Sequence, residues 1–470
     1  HGTTIGGVRA FLAVPYAAPP VGELRFRAPR PHPGWDGEFD ATARGASCPQ
    51  VTEGVVSGFT VLPEPDEDCL TLDVWAPPDA TDAPVMVWFH GGGFTSGSAH
   101  QPLYDGDLVA GEGVVLVSVN YRLGALGFAA LDEAADGDAA VGNTGILDQR
   151  RALQWVHDNI AAFGGDPARV TIFGESAGGF SVCAHLGIDD EPGSLFTGAI
   201  IQSGAGCRQD GDPDEARAAT AAWAASLGCA TPTPLACLQQ LDVDTLLAAA
   251  DPPSGVVLDG KLLARNAHDR AVAGELTSVS IITGSNLDEW TLFSIGTPVE
   301  DEAGLVEALG PFAAARGLDP AEVAALAPGG SPKERFDTLV TDLVFACPAL
   351  DFAAAVTAGG GTARHYEFRY TSADDPFGLG ATHGSELVFL FGHPEGIRGL
   401  PTEISDADAA VGATLRHLWT SFATSGEPDA AVDWPVFDPA GSTTLVIDGP
   451  EPHLTGEIRE GRCARLAALG

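Results

Sequence analysis

The sequence is short of positive charge and has no long apolar run. Its 470 residues carry 24 lysines and arginines against 64 aspartates and glutamates, and only two of the basic residues are lysines, Lys261 and Lys333. The net charge of −40 argues against binding to nucleic acid or to an anionic membrane surface, because both require positive charge on the partner. Strand-sized apolar runs such as Val114 to Val119 fall well below the roughly 18 residues of a membrane span. We therefore expect no nucleic-acid partner and no membrane span.

The cysteine pattern lacks the spacings of a metal site. The eight cysteines include no CxxC pair and no Cys/His pair with zinc spacing, so no metal site is predicted. We expect no cofactor. Their even number is typical of a compartment that permits disulfides. Because the chain starts at His1 rather than Met, we expect a secreted or periplasmic protein from which a leader has been removed.

Short apolar runs alternate with helical patterns along the chain, which predicts an α/β sheet. Val85 to Phe89 and Val114 to Val119 are apolar at almost every position, as parallel strands covered on both faces are. The alternation of Leu70 to Trp75 predicts an antiparallel strand near the sheet edge, and Ile5 to Val14 predicts another strand before it. Further strands are predicted at 170–173, 199–202, 279–283, 365–370 and 444–447. We expect one domain over 1–470, with helical excursions at about 210–340 around a pocket.

The most informative stretch is Val170 to Gly179, where a strand-like run meets a Gly-x-Ser-x-Gly pattern centred on Ser176. A sharp turn from strand to helix exposes the serine hydroxyl, and small neighbours such as Gly174 and Gly178 let that turn close. Residues 177–186 have a helix-forming composition, so Ser176 is predicted at a helix N-terminus, where unpaired N–H groups favour negative charge. The pattern is weak alone, and a catalytic role also requires an oxyanion hole, an acid and a base.

Three glycines, residues 91–93, follow the predicted strand that ends at Phe89. A carbonyl oxygen that becomes an oxyanion needs backbone N–H donors at close range, and residues without side chains let substrate approach the backbone. The predicted donors are the N–H groups of Gly92, Gly93 and Ala177.

Candidates for the acid and the base follow the serine along the chain. Asp288 and Glu289 stand side by side after the predicted strand 279–283, and spacing alone does not choose between them. Among the histidines beyond them, His383 lies in a glycine-containing loop before a helix that Ser385 is predicted to cap, so its ring can project into a cleft. The less favoured histidines are His365, His393, His417 and His453.

Several stretches form a pattern that covers almost the whole chain: residues 11–26, residues 67–75, the glycine triplet, residues 120–122, the Ser176 turn and residues 202–204. Together they resemble the type-B carboxylesterases, the cholinesterase-like branch of the α/β-hydrolases. The resemblance implies a mostly parallel sheet with antiparallel N-terminal strands and helices on both faces. It also implies that Glu289, rather than Asp288, is the acid of a catalytic triad and that His383 is its base.

The cysteines add a prediction of four bridges. The resemblance implies the pairs Cys48–Cys69 and Cys229–Cys237. Cys183 lies seven residues past Ser176 on the predicted helix and Cys207 lies just past the neighbouring strand, so on proximity we predict that these two pair. Cys347 and Cys463 then form the fourth bridge.

Two departures from the family pattern concern the substrate. Trp290 stands where the family usually has glycine after the acid, and the loop between Cys48 and Cys69 lacks the tryptophan with which cholinesterases bind a quaternary ammonium. Choline esters are therefore not the expected substrates. Phe94, Trp290 and Phe293 are predicted to line the pocket, although packing in the core is the alternative for each.

The sequence as a whole predicts a serine carboxylesterase that acts on a small-molecule ester through an acyl-enzyme on Ser176. We expect a monomer or a weak dimer. Two alternatives stay open at this point. One is a catalytically silent adhesion or binding protein on the same fold, and the other is an amide or thioester hydrolase with the same triad.

Overall fold

The computed structural model describes residues 1–51, 58–134, 141–188, 195–327, 329–430, 432–441 and 443–469. Eleven strands form one sheet in this part of the chain. They are β1 Thr3–Ile5, β2 Val8–Pro15, β3 Thr71–Ala76, β4 Ala83–Phe89, β5 Val115–Val119, β6 Gly165–Glu175, β7 Gly198–Gln202, β8 Ser280–Asn286, β9 Thr362–Phe368, β10 Thr444–Ile447 and β11 His453–Thr455.

The strand order is β1-β2-β3-β5-β4-β6-β7-β8-β9-β10-β11. From β5 to β10 all neighbours are parallel, whereas β1, β2 and β3 pair antiparallel with one another and β3 pairs antiparallel with β5. The predicted fold class, a mostly parallel sheet with antiparallel N-terminal strands, is confirmed. The run Ile5 to Val14 is not one strand, because Gly6 and Gly7 take positive φ angles and turn β1 back onto β2.

The longer helices are α3 Thr144–Asn159, α4 Ala177–Gly187, α5 Pro213–Ser226, α9 Glu302–Ala314, α11 Pro332–Thr341, α12 Cys347–Ala358 and α14 Asp406–Ser425. The shorter helices are α1 Asp107–Gly111, α2 Gly124–Phe128, α6 Leu235–Leu238, α7 Val243–Ala248, α8 Ala267–Val272, α10 Pro320–Ala324, α13 Ser385–Phe391 and α15 Arg462–Ala467. Along the chain, helices α5 to α8 come between β7 and β8, and α9 to α12 come between β8 and β9.

Helices cover both faces of the sheet, because side chains along a strand alternate between its faces. In β4, Val85 and Val87 belong to a core cluster that includes residues of α3, α4 and α12. Met86 and Trp88 belong to a second cluster, formed with α13 and α14. All seven residues of β4 are buried, as the apolar run in the sequence predicts.

One helical run, Pro332–Ala358, is long and apolar enough to cross a membrane by length and composition, but 72% of its apolar window is buried inside the fold. It comprises α11, a π-helical turn at Asp342–Ala346, and α12. The buried fraction is that of a core helix.

The eight cysteines lie in four bonded pairs, which are the predicted ones: Cys48–Cys69, Cys183–Cys207, Cys229–Cys237 and Cys347–Cys463. Cys183 lies on α4 and Cys347 begins α12, so two of the bridges fasten helices that pack directly on the sheet.

Candidate active site

Ser176 stands at the junction where β6 ends and α4 begins. Its backbone has φ 55° and ψ −122°, a conformation that costs a residue with a Cβ on the order of 1–3 kcal/mol. The backbone N–H of Ser176 donates to the carbonyl of Gln202 at the end of β7, 3.0 Å away. This bond holds the turn while the half-buried side chain reaches the wall of a cavity.

The glycines on either side of Ser176 have no room for a side chain. A Cβ on Gly178 would lie 1.9 Å from the carbonyl oxygen of Phe89, and one on Gly174 would lie 2.4 Å from the carbonyl carbon of Gly178. Both positions require glycine because the first turn of α4 packs onto the end of β4. The Gly-x-Ser-x-Gly spacing therefore follows from how closely helix and sheet approach at this point.

The glycine triplet lies next to Ser176, as a Cβ on Gly91 would be 3.3 Å from the Ser176 Cβ. Gly92 and Gly93 have φ angles of 103° and 64°, and both line the same cavity as Ser176. Ala177 is the first residue of α4, so its N–H has no partner within the helix. Of the predicted oxyanion donors, Gly92 and Gly93 thus line the cavity that Ser176 lines, and Ala177 directly follows Ser176.

Glu289 contacts the histidine ring. Nδ1 of His383 lies 2.5 Å from Oε2 of Glu289, and the glutamate is completely buried. Its other oxygen, Oε1, accepts the hydroxyl of Ser203 at 2.6 Å and the backbone N–H of Asn286 at 2.7 Å. With these three donors around it, the carboxylate is fixed in place and aimed at Nδ1.

Asp288, the other candidate for the acid, binds backbone rather than the imidazole. Its Oδ2 accepts the N–H of Ala381 at 3.0 Å, and its own N–H donates to the Ala381 carbonyl at 3.0 Å. Burial raises the pKa of the Asp288 carboxyl. This residue fastens the loop that carries His383 to the loop that carries Glu289.

The His383 ring contacts two aromatic rings, with centroids 4.9 Å from Phe293 and 5.0 Å from Phe345. Its Nε2 is 3.1 Å from Oε1 of Glu175, the residue before the serine. Within the described residues, Nε2 has no hydrogen-bond partner, and none of the hydrogen bonds joins it to Ser176, although both residues line the cavity.

Negative charge dominates the surroundings of His383. Burial alone lowers the pKa of the imidazole, but the charges of Glu175 and Glu289 favour its protonated form, and the net effect raises the pKa to about 9. Burial also raises the pKa of Glu175 to about 8, and the nearby charge of Glu386 acts in the same direction.

Sequence reasoning did not single out Glu175, Ser203, Phe345 or Glu386. Glu386 is fully buried on α13, where Oε1 accepts from Gln202 at 3.0 Å and Oε2 accepts from Asn286 at 2.5 Å. The sequence signal for Glu386 was one acidic residue directly before the apolar run 387–391 in the helix that follows His383. Burial raises the pKa of Glu386 to about 7.

The predicted cap at Ser385 is wrong. Helix α13 begins at Ser385 itself, and the residue before it, Gly384, takes the capping position with φ 73°. The Ser385 hydroxyl makes no hydrogen bond within the described residues. Because a glycine can turn the chain directly after His383, the loop needs no capping side chain there.

The site opens into a cavity of about 690 Å³. Phe293 lines it, as predicted, whereas Phe94 and Trp290 are not among its lining residues. The Phe94 ring packs on Phe128, with centroids 5.0 Å apart, and Trp290 packs on Phe312, also at 5.0 Å. Trp290 also packs on the cavity-lining Phe293, with centroids 5.0 Å apart, so the two predictions are corrected: neither Phe94 nor Trp290 lines the cavity itself.

Acidic side chains line the cavity beyond the catalytic candidates. Five of the described residues that line the cavity are Asp or Glu, and none of the described lining residues is Lys or Arg. The carboxylates are those of Glu175, Asp374, Asp375, Glu403 and Asp408. We therefore expect the cavity to disfavour anions.

An α/β-hydrolase sheet, a serine at a strand-to-helix turn and a buried Glu–His pair define the class of protein. A family model described as the carboxylesterase family matches residues 1–305 and 327–465. The chain belongs to this family, which confirms the resemblance found in the sequence, and it is a carboxylic ester hydrolase.

Individual relatives agree with the family match. A para-nitrobenzyl esterase of Bacillus subtilis (strain 168) is 36% identical, over 95% of this chain and 92% of the relative. A cholinesterase of Mus musculus is 34% identical, over 97% of this chain and 82% of the relative. A solved structure of a PNB esterase superposes with a TM-score of 0.86 at 35% identity, covering 99% of this chain and 96% of that chain. A thermophilic PNB esterase gives a TM-score of 0.85 at 35% identity, covering 99% of this chain and 97% of that one.

Proposed function

We propose that the protein hydrolyses esters through an acyl-enzyme on Ser176, with His383 as general base and acid and Glu289 as the residue that orients it. The observation that carries this proposal is the 2.5 Å contact between Glu289 Oε2 and His383 Nδ1, in a cavity that Ser176 also lines. Glu289 keeps the proton on Nδ1, so that in the neutral imidazole Nε2 can accept one.

In the first half of the reaction the Ser176 oxygen attacks the ester carbonyl while Nε2 of His383 takes the hydroxyl proton. The carbonyl oxygen becomes an oxyanion, and the N–H groups of Gly92, Gly93 and Ala177 stabilise it. The tetrahedral intermediate then collapses, the bond to the alkoxy oxygen breaks, and His383 returns the proton to the departing alcohol.

Water completes the cycle. His383 removes a proton from the water as it attacks the acyl-enzyme, and the same oxyanion donors stabilise the second intermediate. Collapse releases the carboxylic acid and returns the proton to Ser176. The positive charge that His383 carries in each transition state lies next to Glu289, which stabilises it.

The cavity supports a neutral small-molecule ester as the substrate. Its carboxylates and the net charge of −40 disfavour an ester that itself carries negative charge. We further propose a secreted or periplasmic location, which the four disulfides favour, and a monomer or weak dimer in solution.

Turnover of a nitrophenyl ester by the intact protein and by Ser176→Ala tests the proposal. We expect hydrolysis by the parent and a loss of several orders of magnitude in kcat for the variant, with circular dichroism verifying that it is folded. Turnover that survives the substitution undiminished would contradict the proposal. A matched anilide, measured on the same preparation, distinguishes an esterase from an amidase.

A further inference from the structure

The last residue of β7 contacts the nucleophile of the proposed triad, and the segment directly after β7 contacts the acid. The carbonyl of Gln202 accepts the Ser176 N–H at 3.0 Å, and the next residue, Ser203, donates its hydroxyl to Glu289 at 2.6 Å. Ser203 is 1% exposed, and its own N–H donates to the carbonyl of Gly284 on β8 at 2.9 Å. Any shift of this segment therefore changes the surroundings of Glu289.

The same segment has an unfavourable backbone. Ser203, Ala205 and Cys207 have φ angles of 54°, 49° and 58°, and Gly206 has φ 76°. The left-handed region is disfavoured for residues that carry a Cβ, so a run of this kind persists only where the surroundings enforce it. The contacts of residues 203–207 must include a strong restraint.

The bridge between Cys207, which ends the segment, and Cys183 on α4 is a covalent restraint of this kind. Both cysteines are completely buried. On its other side the segment is pressed against α12, since a Cβ on Gly206 would lie 2.5 Å from the carbonyl oxygen of Pro348. The bridge thus ties a strained segment to the helix that starts immediately after Ser176.

We propose that the Cys183–Cys207 disulfide is a positioning element of the active site. It holds residues 203–207, four of which have positive φ angles, in the conformation in which the Ser203 hydroxyl reaches Glu289, and so it keeps the carboxylate aimed at His383. Without the bridge the segment relaxes, Ser203 withdraws, and Glu289 loses one of its three donors. The inference rests on the proposed function, because it assigns Glu289 to the triad.

The test compares two bridge-free variants. Cys183→Ala/Cys207→Ala removes the proposed positioning bridge, and Cys229→Ala/Cys237→Ala removes a bridge in a separate core cluster that holds no triad residue. Both variants are expected to lose thermal stability. Only the first is expected to lose kcat, by roughly tenfold with KM within about twofold, because the change affects alignment in the transition state rather than substrate binding.

A mutant cycle with Ser203→Ala shows whether the bridge acts through Ser203. In the Ser203→Ala background, removing Cys183 and Cys207 is expected to change kcat by less than about twofold. An equal tenfold loss in both backgrounds overturns the inference. Ala205→Gly removes the penalty for one left-handed residue, so it is expected to restore part of the kcat of the bridge-free enzyme, because the segment then has less backbone strain to relieve. An unchanged kcat in that variant would also overturn the inference.

The remaining outcomes are decisive as well. The variant Cys183→Val/Cys207→Ala also lacks the bridge but refills part of the volume of the sulfur atoms. If neither bridge-free variant folds, the bridge is purely structural and the positioning role is overturned. If the parent hydrolyses the ester, Ser176→Ala does not, and the bridge-free variant keeps the full kcat, this inference is overturned and the proposed function stands. An inactive parent overturns the proposed function and this inference together.

Discussion

Replacing Glu289 with glutamine tests whether Glu289 or its neighbour Asp288 is the triad acid, a choice that spacing in the sequence leaves open. The glutamine keeps the size of the side chain, and its single oxygen can still accept the donors that now reach Oε1, Ser203 and the N–H of Asn286. Its amide NH₂ then occupies the place of Oε2, 2.5 Å from Nδ1 of His383. Two donors cannot share that contact, so the imidazole must move its proton from Nδ1 to Nε2.

A proton on Nε2 prevents His383 from accepting the proton of Ser176. Loss of the correct tautomer in a serine triad costs about 10³- to 10⁴-fold in kcat, which corresponds to roughly 4 to 5.5 kcal/mol of transition-state stabilisation. We expect a loss of this size for Glu289→Gln with KM changed far less. Steady-state hydrolysis of a nitrophenyl ester measures both constants.

Asp288→Asn is the matched control. Asparagine retains an oxygen that can accept the Ala381 N–H, so the variant should stay within about tenfold of the parent. The assignment of Glu289 as the triad acid would be refuted if the kcat of folded Glu289→Gln stayed within about tenfold of the parent, or if Asp288→Asn lost more activity than Glu289→Gln.

Three further predictions concern the surroundings of the site. Glu175→Gln removes a charge that favours protonated His383, so the acid limb of kcat/KM should move to lower pH, toward the ordinary histidine pKa; an unmoved limb in a pH profile would contradict the assigned cause. Gly178→Ala should lower the free energy of unfolding, measured by denaturant titration, by about 3 kcal/mol, because the added Cβ collides with the Phe89 carbonyl. The control Gly310→Ala on α9 has open space around the added Cβ, so it should be neutral or slightly stabilising in the same titration. An ester bearing a carboxylate should have a kcat/KM at least about tenfold below that of its neutral analogue, with the difference shrinking as salt is added, and equal values at low salt would refute repulsion by the cavity.

The parts of the fold that follow from local sequence could be predicted well. The apolar runs of β4 and β5 identify the buried centre of the sheet, since only strands covered on both faces are apolar at every position. Strand ends were less accurate: β6 extends from Gly165 to Glu175, well beyond the predicted 170–173. Residues 165–169 bear no strand pattern, and only Gly165 among them pairs with β4, opposite Ala83.

The carboxylate cluster around His383 could not be read from the sequence. Glu175, Glu289 and Glu386 are far apart in the chain and meet only because β6, the loop after β8 and α13 end or begin at the same edge of the sheet. For the same reason Trp290 was misplaced. Its position next to the acid predicted a pocket wall, but the side chain packs on Phe312 and on Phe293, and of these three residues Phe293 lines the cavity.

The central claim is that Ser176 carries the acyl group between the two halves of the reaction. Rapid acid quenching during turnover of an acetyl ester, followed by mass spectrometry of the peptides, tests this claim directly. We predict one acetyl group on the peptide that contains Ser176, present in the parent and absent in Ser176→Ala. An acetyl group on another residue, or turnover in which the Ser176 peptide is never acylated even when deacylation is slowed, would contradict it.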